Sequence, residues 1–359
     1  MPPPSVLHGE NWRRKAVTWL SRGPMPMPRH KILEVLTEGV GEHRAVQAWL
    51  QLQSDSWEPG SLEVLQRRRY STVYRLNHAT QHRMGVIAKR CRTARARLER
   101  FILGELLPRT GMPVLACYGL LEDPDGDFCW LFLEDAAGCF YSPQLPDHRA
   151  LAGYWLAEIQ LTTAAADFKS LLPNRELDYY LQLLRNCQAI VHSLYGTPLS
   201  AEDTALFRKI AIHLDVLESH WSELEKISEL MPPALVHGDF VIKNLRIRET
   251  DNGPALLAFD WEFAGWGLPA ADLAQSIDRA ASPDLSIYCS VLNRGHPHLD
   301  LHDIEAVAAC GNLLRLINQM SWATAGLEFA LPAQLLKAIP TLRFYEPAMP
   351  KALTALRWS

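Results

Sequence analysis

Although 48% of the 359-residue chain is hydrophobic, it has no uninterrupted apolar stretch of the about 18 residues that a membrane-spanning helix needs. Its seven cysteines are odd in number and include no Cys-x-x-Cys pair, which argues against both a disulfide framework and a zinc site. Charge of one sign is lacking too. The 36 basic and 40 acidic residues leave a net charge of −4, without the basic excess that nucleic-acid binding demands. The opening Met1-Pro-Pro-Pro-Ser5 through Arg13-Arg14-Lys15 has no apolar core of the kind a secretory signal carries. There is no internal repeat and no low-complexity tail. The expectation is a cytoplasmic protein without a nucleic-acid or membrane partner. A chain of this length can bury a sizeable core and divide into two or three units.

What is present concentrates in two short stretches. The first is Leu235-Val-His-Gly-Asp-Phe-Val-Ile-Lys-Asn-Leu245, and the second is Ala258-Phe-Asp-Trp-Glu-Phe-Ala-Gly265. Apolar runs flank both, so they read as strand, polar loop, strand, a path that brings Asp260 back beside Asn244. Asn244 follows Asp239 by five positions, the interval of the protein-kinase catalytic loop. Phosphoryl transfer asks mostly for positioning and charge neutralisation. One carboxylate accepts or orients the hydroxyl proton, while an amide and a second carboxylate hold Mg²⁺ on the phosphates. Asp239, Asn244 and Asp260 have the residue types and spacing for those tasks. A surface turn capped by Asp239 and Asn244 is the bland alternative, but it needs no second acid at Asp260.

At these residues the chain resembles the aminoglycoside phosphotransferase and choline kinase-like superfamily, relatives of the protein kinases. The His237-Gly-Asp-x-x-x-x-Asn244 loop is complete, and Asp260-Trp-Glu262 stands in place of Asp-Phe-Gly. The stretch Gly265-Trp-Gly-Leu-Pro-Ala-Ala-Asp-Leu-Ala274 is also similar to the family's. The resemblance implies a two-lobed α+β fold with a small antiparallel-sheet N-lobe and a larger, mostly helical C-lobe. It implies Asp239 as catalytic base and Asn244 and Asp260 as metal ligands. His237 would support the loop, and Glu262 and Asp272 would brace the fold or the metal site. For the last two, a helix cap or a surface ion pair is the competing reading.

Such a fold needs a nucleotide-binding lobe ahead of the loop, with a lysine for the phosphates. Tyr70–Leu76 and Met84–Lys89 read as two strands around a polar turn at 77–83, which ends the second strand on Lys89. Arg92 to Leu107 carries a helical apolar pattern that contains Glu99 and Glu105. The family's register favours Glu99 as partner of Lys89, with Glu105 the runner-up on another face. Glycine is missing from Arg67 to Val73, where protein kinases place it to let backbone approach phosphate. Ser71 and Thr72 are the substitutes on offer. Phe128–Leu133 is a continuous apolar strand leading to Glu134 and Asp135, where backbone groups would pair with the purine. Trp130 and Phe132 read as core.

The remainder reads as helices over 148–171, 175–194, 200–227, 304–327 and 331–342, with Ser200 as an N-cap and Pro232-Pro233 as a stop. Residues 31–52 read as one or two amphipathic helices, and Met25-Pro-Met-Pro28 as a turn. The expected division is a helical extension over 1–60, a nucleotide-binding lobe over 61–135, and a C-lobe with catalytic loop and acceptor pocket over 136–359.

The expected activity is transfer of the γ-phosphoryl group of ATP, with GTP as a possible donor, to a hydroxyl of a small molecule, with Mg²⁺. A regulatory pseudokinase would show a degraded base or metal position, and none is degraded. A protein kinase would carry Asp-Phe-Gly and an Ala-Pro-Glu segment, and neither is present. From Asp300 onward, acids are matched by Arg315, Lys337, Arg343, Lys351 and Arg357, so no acidic surplus marks a polycation-binding lobe. Trp322, Phe329, Phe344, Tyr345 and Trp358 lean towards a neutral or partly apolar acceptor.

Overall fold

The computed structural model describes residues 32–53, 58–78, 85–124, 126–164, 168–197, 199–277, 279–327 and 331–358. The turn expected at 25–28 and most of the one at 77–83 lie outside these residues. In chain order the elements are β1 (Glu34–Leu36), α1 (Arg44–Leu52), β2 (Ser61–Arg68), β3 (Ser71–Asn77), β4 (Val86–Arg92), α2 (Thr93–Phe101), β5 (Cys117–Glu122), β6 (Phe128–Glu134) and β7 (Cys139–Phe140). Then come α3 (Pro146–Ala164), β8 (Asn174–Arg175), α4 (Leu177–Ser193), α5 (Ala201–Ser219), α6 (Trp221–Ser228) and β9 (Ala234–Val236). The chain continues with β10 (Leu245–Thr250), β11 (Gly253–Ala258), β12 (Gly265–Gly267), α7 (Leu285–Leu292), α8 (Leu301–Thr324), α9 (Pro332–Tyr345) and α10 (Ala348–Ala355). Two compact units result. One runs up to Leu151 and includes Lys243–Phe263; the other comprises Ala152–Ile242 and the chain from Ala264.

The first unit is built on a six-stranded antiparallel sheet in the order β1-β2-β3-β4-β6-β5. Alternation along β2 and β3 buries Leu62, Val64 and Leu76. The apolar face of α1, with Ala45, Val46, Ala48 and Trp49, closes over them, and Trp49 meets Phe132 at 5.3 Å between ring centroids. The helical reading of 31–52 holds only for α1. Glu34–Leu36 instead pairs with Leu62–Val64 as an edge strand, because three extended residues gain a backbone ladder there. The long helix expected over 92–107 is also interrupted. It runs as α2 to Phe101, widens into a π turn over Ile102–Leu106 and tightens into a 3-10 turn over Leu107–Thr110. Pro108 has no N–H to give, and Gly111 ends the run with φ 70°.

A second sheet of the same unit has the order β11-β10-β7. Gly138 makes it possible: its φ is 69°, and a Cβ there would meet the Ile247 carbonyl oxygen at 2.3 Å. The two strands expected ahead of the motifs form as β9 and β11, but β11 pairs with the intervening strand β10 and β9 with β12. Leu245 pairs with Ala258, and Phe259 N–H donates to Asn244 O at 3.1 Å.

The second unit is mostly helical, with α4, α5, α9 and α10 packed against α8 or one another around a core that includes Leu184, Phe207, Leu313 and Leu342. Its small sheet, β8-β12-β9, carries the strand that leads into the His237–Asn244 loop. The helix expected over 200–227 is two helices. Ser200 caps the first as expected, accepting from Asp203 N–H at 3.0 Å. The break falls at His220, whose ring stacks on Trp358 at 5.3 Å and meets Glu223 at 2.9 Å, a tertiary contact that local periodicity does not reveal. A capping box of Asp300 and Asp303 opens α8. Among the described residues no helix is long and apolar enough to cross a membrane.

Candidate active site

In the first unit, Lys89, 5% exposed, lies in the middle of β4, which runs on to Arg92 rather than ending at the lysine as expected, and α2 presents Glu99, 1% exposed. Their charges meet at 2.8 Å through Glu99 Oε2. Glu99 Oε1 faces the other way and accepts the backbone N–H groups of Asp260 at 3.0 Å and Trp261 at 3.2 Å. Asp260 has φ 67°, a left-handed conformation uncommon outside glycine that a short polar side chain tolerates best. The Glu99 carboxylate thus holds the turn that aims Asp260, whose own carboxylate also contacts Lys89. Burial alone would lower the Lys89 pKa, but the Asp260 and Glu99 carboxylates outweigh it and keep the ammonium charged well above its ordinary value. Glu105, the alternative partner, lies 3.6 Å from Arg100 on the surface. Four residues before Glu99, Arg95 pairs with Glu262 at 3.0 Å, so α2 grips the Asp260-Trp-Glu262 turn twice.

These groups line a cavity of about 580 Å³ contained in the first unit. Lys89, Glu99, Asn244, Asp260 and Glu262 form one part of its wall, and Ser71 at the β2–β3 hairpin another. Thr72 is not among its walls, because successive side chains of β3 point to opposite faces. Glu134 and Asp135 also line it, with Ala136 to Gly138. The Glu134 carboxylate accepts from Ala116 N–H at 3.0 Å and from Arg248 at 2.6 Å, while Asp135 pairs with Arg75 at 2.7 Å. Arg248 further donates to the carbonyls of Asp135 and Ala136 at 3.2 and 2.8 Å, fixing the connector from β10. Arg246 lies over the Phe140 ring at 4.0 Å in the same wall, and burial pushes its pKa down to about 10.

The second unit carries His237, Asp239 and Asp272. All three are buried. Asp272 is neither a helix cap nor a surface ion pair. Its two oxygens accept the backbone N–H groups of His237 at 2.6 Å and Gly238 at 3.0 Å, so it sets the shape of the loop. Burial pushes its carboxyl up to about 7, against the opposing pull of those two amides. His237 Nδ1 accepts from Asp239 N–H at 3.3 Å, and Phe240 stacks on Trp155 at 5.7 Å. Asp239 faces Arg315 of α8, with Nη1 3.6 Å from Oδ1.

Compared with models of known families, residues 62–288, more than half of the chain, match the one described as "APH: Phosphotransferase enzyme family". The chain belongs to that family. Among solved structures, the GDP and kanamycin complex of APH(2")-IIia is 14% identical, with a TM-score of 0.58 over 84% of this chain and 98% of that one. Spectinomycin phosphotransferase APH(9)-Ia, in complex with ADP and spectinomycin, is 11% identical, with a TM-score of 0.54 over 81% and 93%. Choline kinase from Cryptosporidium parvum Iowa II is 12% identical, with a TM-score of 0.50 over 83% and 91%. At such identities the likeness is one of fold, and it is the α+β protein-kinase-like fold expected from the sequence. No curated protein sequence matches the chain.

This phosphotransferase also has residues that motif reading passed over. Arg246 and Arg248 lie on β10, just beyond the end of the motif at Asn244. Arg315 enters the sequence reading only through the charge balance of the C-terminal region. It is the one charged side chain between Ala306 and Leu327, and an isolated charge in an apolar helical run is the signal that was available.

Proposed function

We propose that the protein transfers the γ-phosphoryl group of a nucleoside triphosphate, ATP or alternatively GTP, to a hydroxyl of a small molecule, with Mg²⁺. The observation that carries this reading is the buried Lys89–Glu99 pair with Asp260 and Asn244 in the wall of one 580 Å³ cavity. Lys89 offers a compact cation for the α- and β-phosphates. Backbone groups between Glu134 and Gly138 offer donors and acceptors to the base. The donor set suits Mg²⁺: Asp260 and Asn244 bring hard oxygens, and this ion takes one or two carboxylates and completes its shell with phosphate and water. When bound, the ion neutralises charge that builds on the phosphate oxygens. Asp239 would take the proton of the acceptor hydroxyl and orient its oxygen. Asp272 and His237 hold the backbone from which Asp239 projects.

A small acceptor is supported by family membership and by relatives of the same fold, solved with kanamycin or spectinomycin beside a nucleotide. The division of labour proposed from the sequence, a nucleotide lobe over 61–135 and a C-lobe over 136–359, is kept with shifted bounds: the first unit, with Lys243–Phe263 inserted into it, would hold the nucleotide, and the second unit the acceptor. In a screen of hydroxylated metabolites and antibiotics for acceptor-dependent ADP release, Asp239→Ala should lower turnover by about 10²–10⁴-fold or more while ATP still binds. Full activity in that variant overturns the assignment of Asp239. No stimulation by any acceptor, with ATP bound, would instead favour a regulatory nucleotide binder.

A further inference from the structure

Arg315 is buried, 5% exposed, on α8 between Leu314 and Leu316, with Asn318 buried one turn further on. What brings it to the loop is Gly311, one turn earlier. A Cβ at Gly311 would lie 1.8 Å from the Ala270 carbonyl oxygen, so α8 runs backbone against backbone along the 3-10 turn Pro269–Leu273. That turn carries Asp272, and the next turn of α8 sets the guanidinium 3.6 Å from Asp239 Oδ1. The ion pair is not an efficient way to stabilise the fold. Replacing a buried pair by apolar residues of similar volume is often neutral or stabilising. Arg315 also leaves its Nε–H buried without a hydrogen-bond partner among the described residues.

The charges around Asp239 add up in an informative way. Arg315 offsets its carboxylate from α8. On the 3-10 turn, both oxygens of Asp272 are occupied by backbone amides. On the loop itself, His237 Nδ1 accepts the N–H of Asp239. The Asp239–Arg315 pair thus presents no net charge to an incoming cation, and the remaining carboxylate, Asp272, has both oxygens engaged by backbone amides. A cationic amine next to the reacting hydroxyl would meet the fixed guanidinium in a medium that screens poorly.

We infer that Arg315 is a positioning residue for Asp239 that also selects against cationic acceptors, so that the physiological acceptor is a neutral or anionic hydroxyl compound. The inference rests on the reading of Asp239 as the group that takes the hydroxyl proton. Arg315 acts through Asp239: it holds one carboxylate oxygen and so aims the other.

The test uses the full-length protein with MgATP and acceptors paired by charge. Choline is set against its uncharged isostere 3,3-dimethylbutan-1-ol, and kanamycin against a neutral disaccharide. Water, through slow ATP hydrolysis, serves as the acceptor common to every variant. Wild type should prefer the uncharged member of each pair by about tenfold or more, the scale of a close like-charge penalty. Arg315→Met should lower kcat by about 10–10²-fold, as misplacement of a reacting group does, with KM for ATP unchanged. It should also narrow the charge preference, and Arg315→Lys should recover part of both. The double variant Asp239→Asn/Arg315→Met removes both charges, so wild-type-like melting with no activity separates a folding defect from a positioning one. Wild-type kcat and preference in Arg315→Met, with Asp239→Asn inactive, overturn this inference and leave the proposed function standing. A cationic acceptor preferred by wild type does the same. Absence of ATP binding and hydrolysis in wild type overturns both.

Discussion

At the scale of single residues, two buried carboxylates do work that their motif positions do not announce. Glu99 uses one oxygen on Lys89 and the other on the backbone of Asp260 and Trp261. A helix glutamate therefore fixes both a cation and the left-handed turn beside it. Asp272 is the second. Its carboxyl, ordinarily near 3.8, is pushed up to about 7 by burial. The folded state therefore holds a proton that the unfolded chain has released over about pH 4–7, and the stability this brings is present at low pH and lost as pH rises through 7. At about 1.36 kcal/mol per pKa unit the effect is on the order of 4 kcal/mol. Asp272→Asn has no such proton. Denaturant unfolding at pH 5 and pH 8 should show the stability of wild type relative to Asp272→Asn falling between the two. A difference that stays constant with pH means that Asp272 remains ionised throughout.

At the scale of elements, close backbone approach decides where functional side chains stand. Gly138 lets the connector after β6 meet β10, where Arg248 fastens it, and Gly311 lets α8 lie against the turn that carries Asp272. Gly311→Ala places a methyl group 1.8 Å from the Ala270 carbonyl, and neither backbone can yield cheaply. The expected loss is at least the roughly 1–3 kcal/mol of core overpacking, seen as a lower melting temperature. Because α8 also carries Arg315, the variant should lose turnover at temperatures where circular dichroism still reports a folded protein. Wild-type melting and turnover would show that the helix shifts freely. Neither glycine was legible as a contact in the sequence. The catalytic stretch was, because its strand–loop–strand pattern and acid spacing are local; the approach of α8 to residue 270 is set by packing between segments some 40 residues apart.

At the scale of the whole molecule, the sequence conveyed the fold class and the order of its parts through hydrophobic periodicity and one spaced motif. It missed the edge strand Glu34–Leu36 and the break at His220, because pairing and stacking with distant residues decide both. The returning hairpin β10–β11 is the most consequential long-range feature. It inserts Lys243–Phe263 into the first unit, so Asn244 and Asp260 join Lys89 in one cavity although more than 150 residues separate them in the chain. A nucleotide bound there would stabilise the native protein by mass action, about 2.7 kcal/mol at a hundred times its Kd. On the proposed reading, part of that gain would depend on the metal, through Asn244 and Asp260, and part on Lys89 and the connector. Thermal melting of wild type should therefore rise with ATP alone and rise further with MgATP. In Asp260→Asn the increment from ATP alone should persist, since the added charge-neutral amide leaves Lys89 in place, while the further increment from Mg²⁺ should shrink to near zero. Equal Mg²⁺ increments in the two proteins would remove Asp260 from the metal site, and no increment with ATP or GTP in wild type would remove the nucleotide from this cavity.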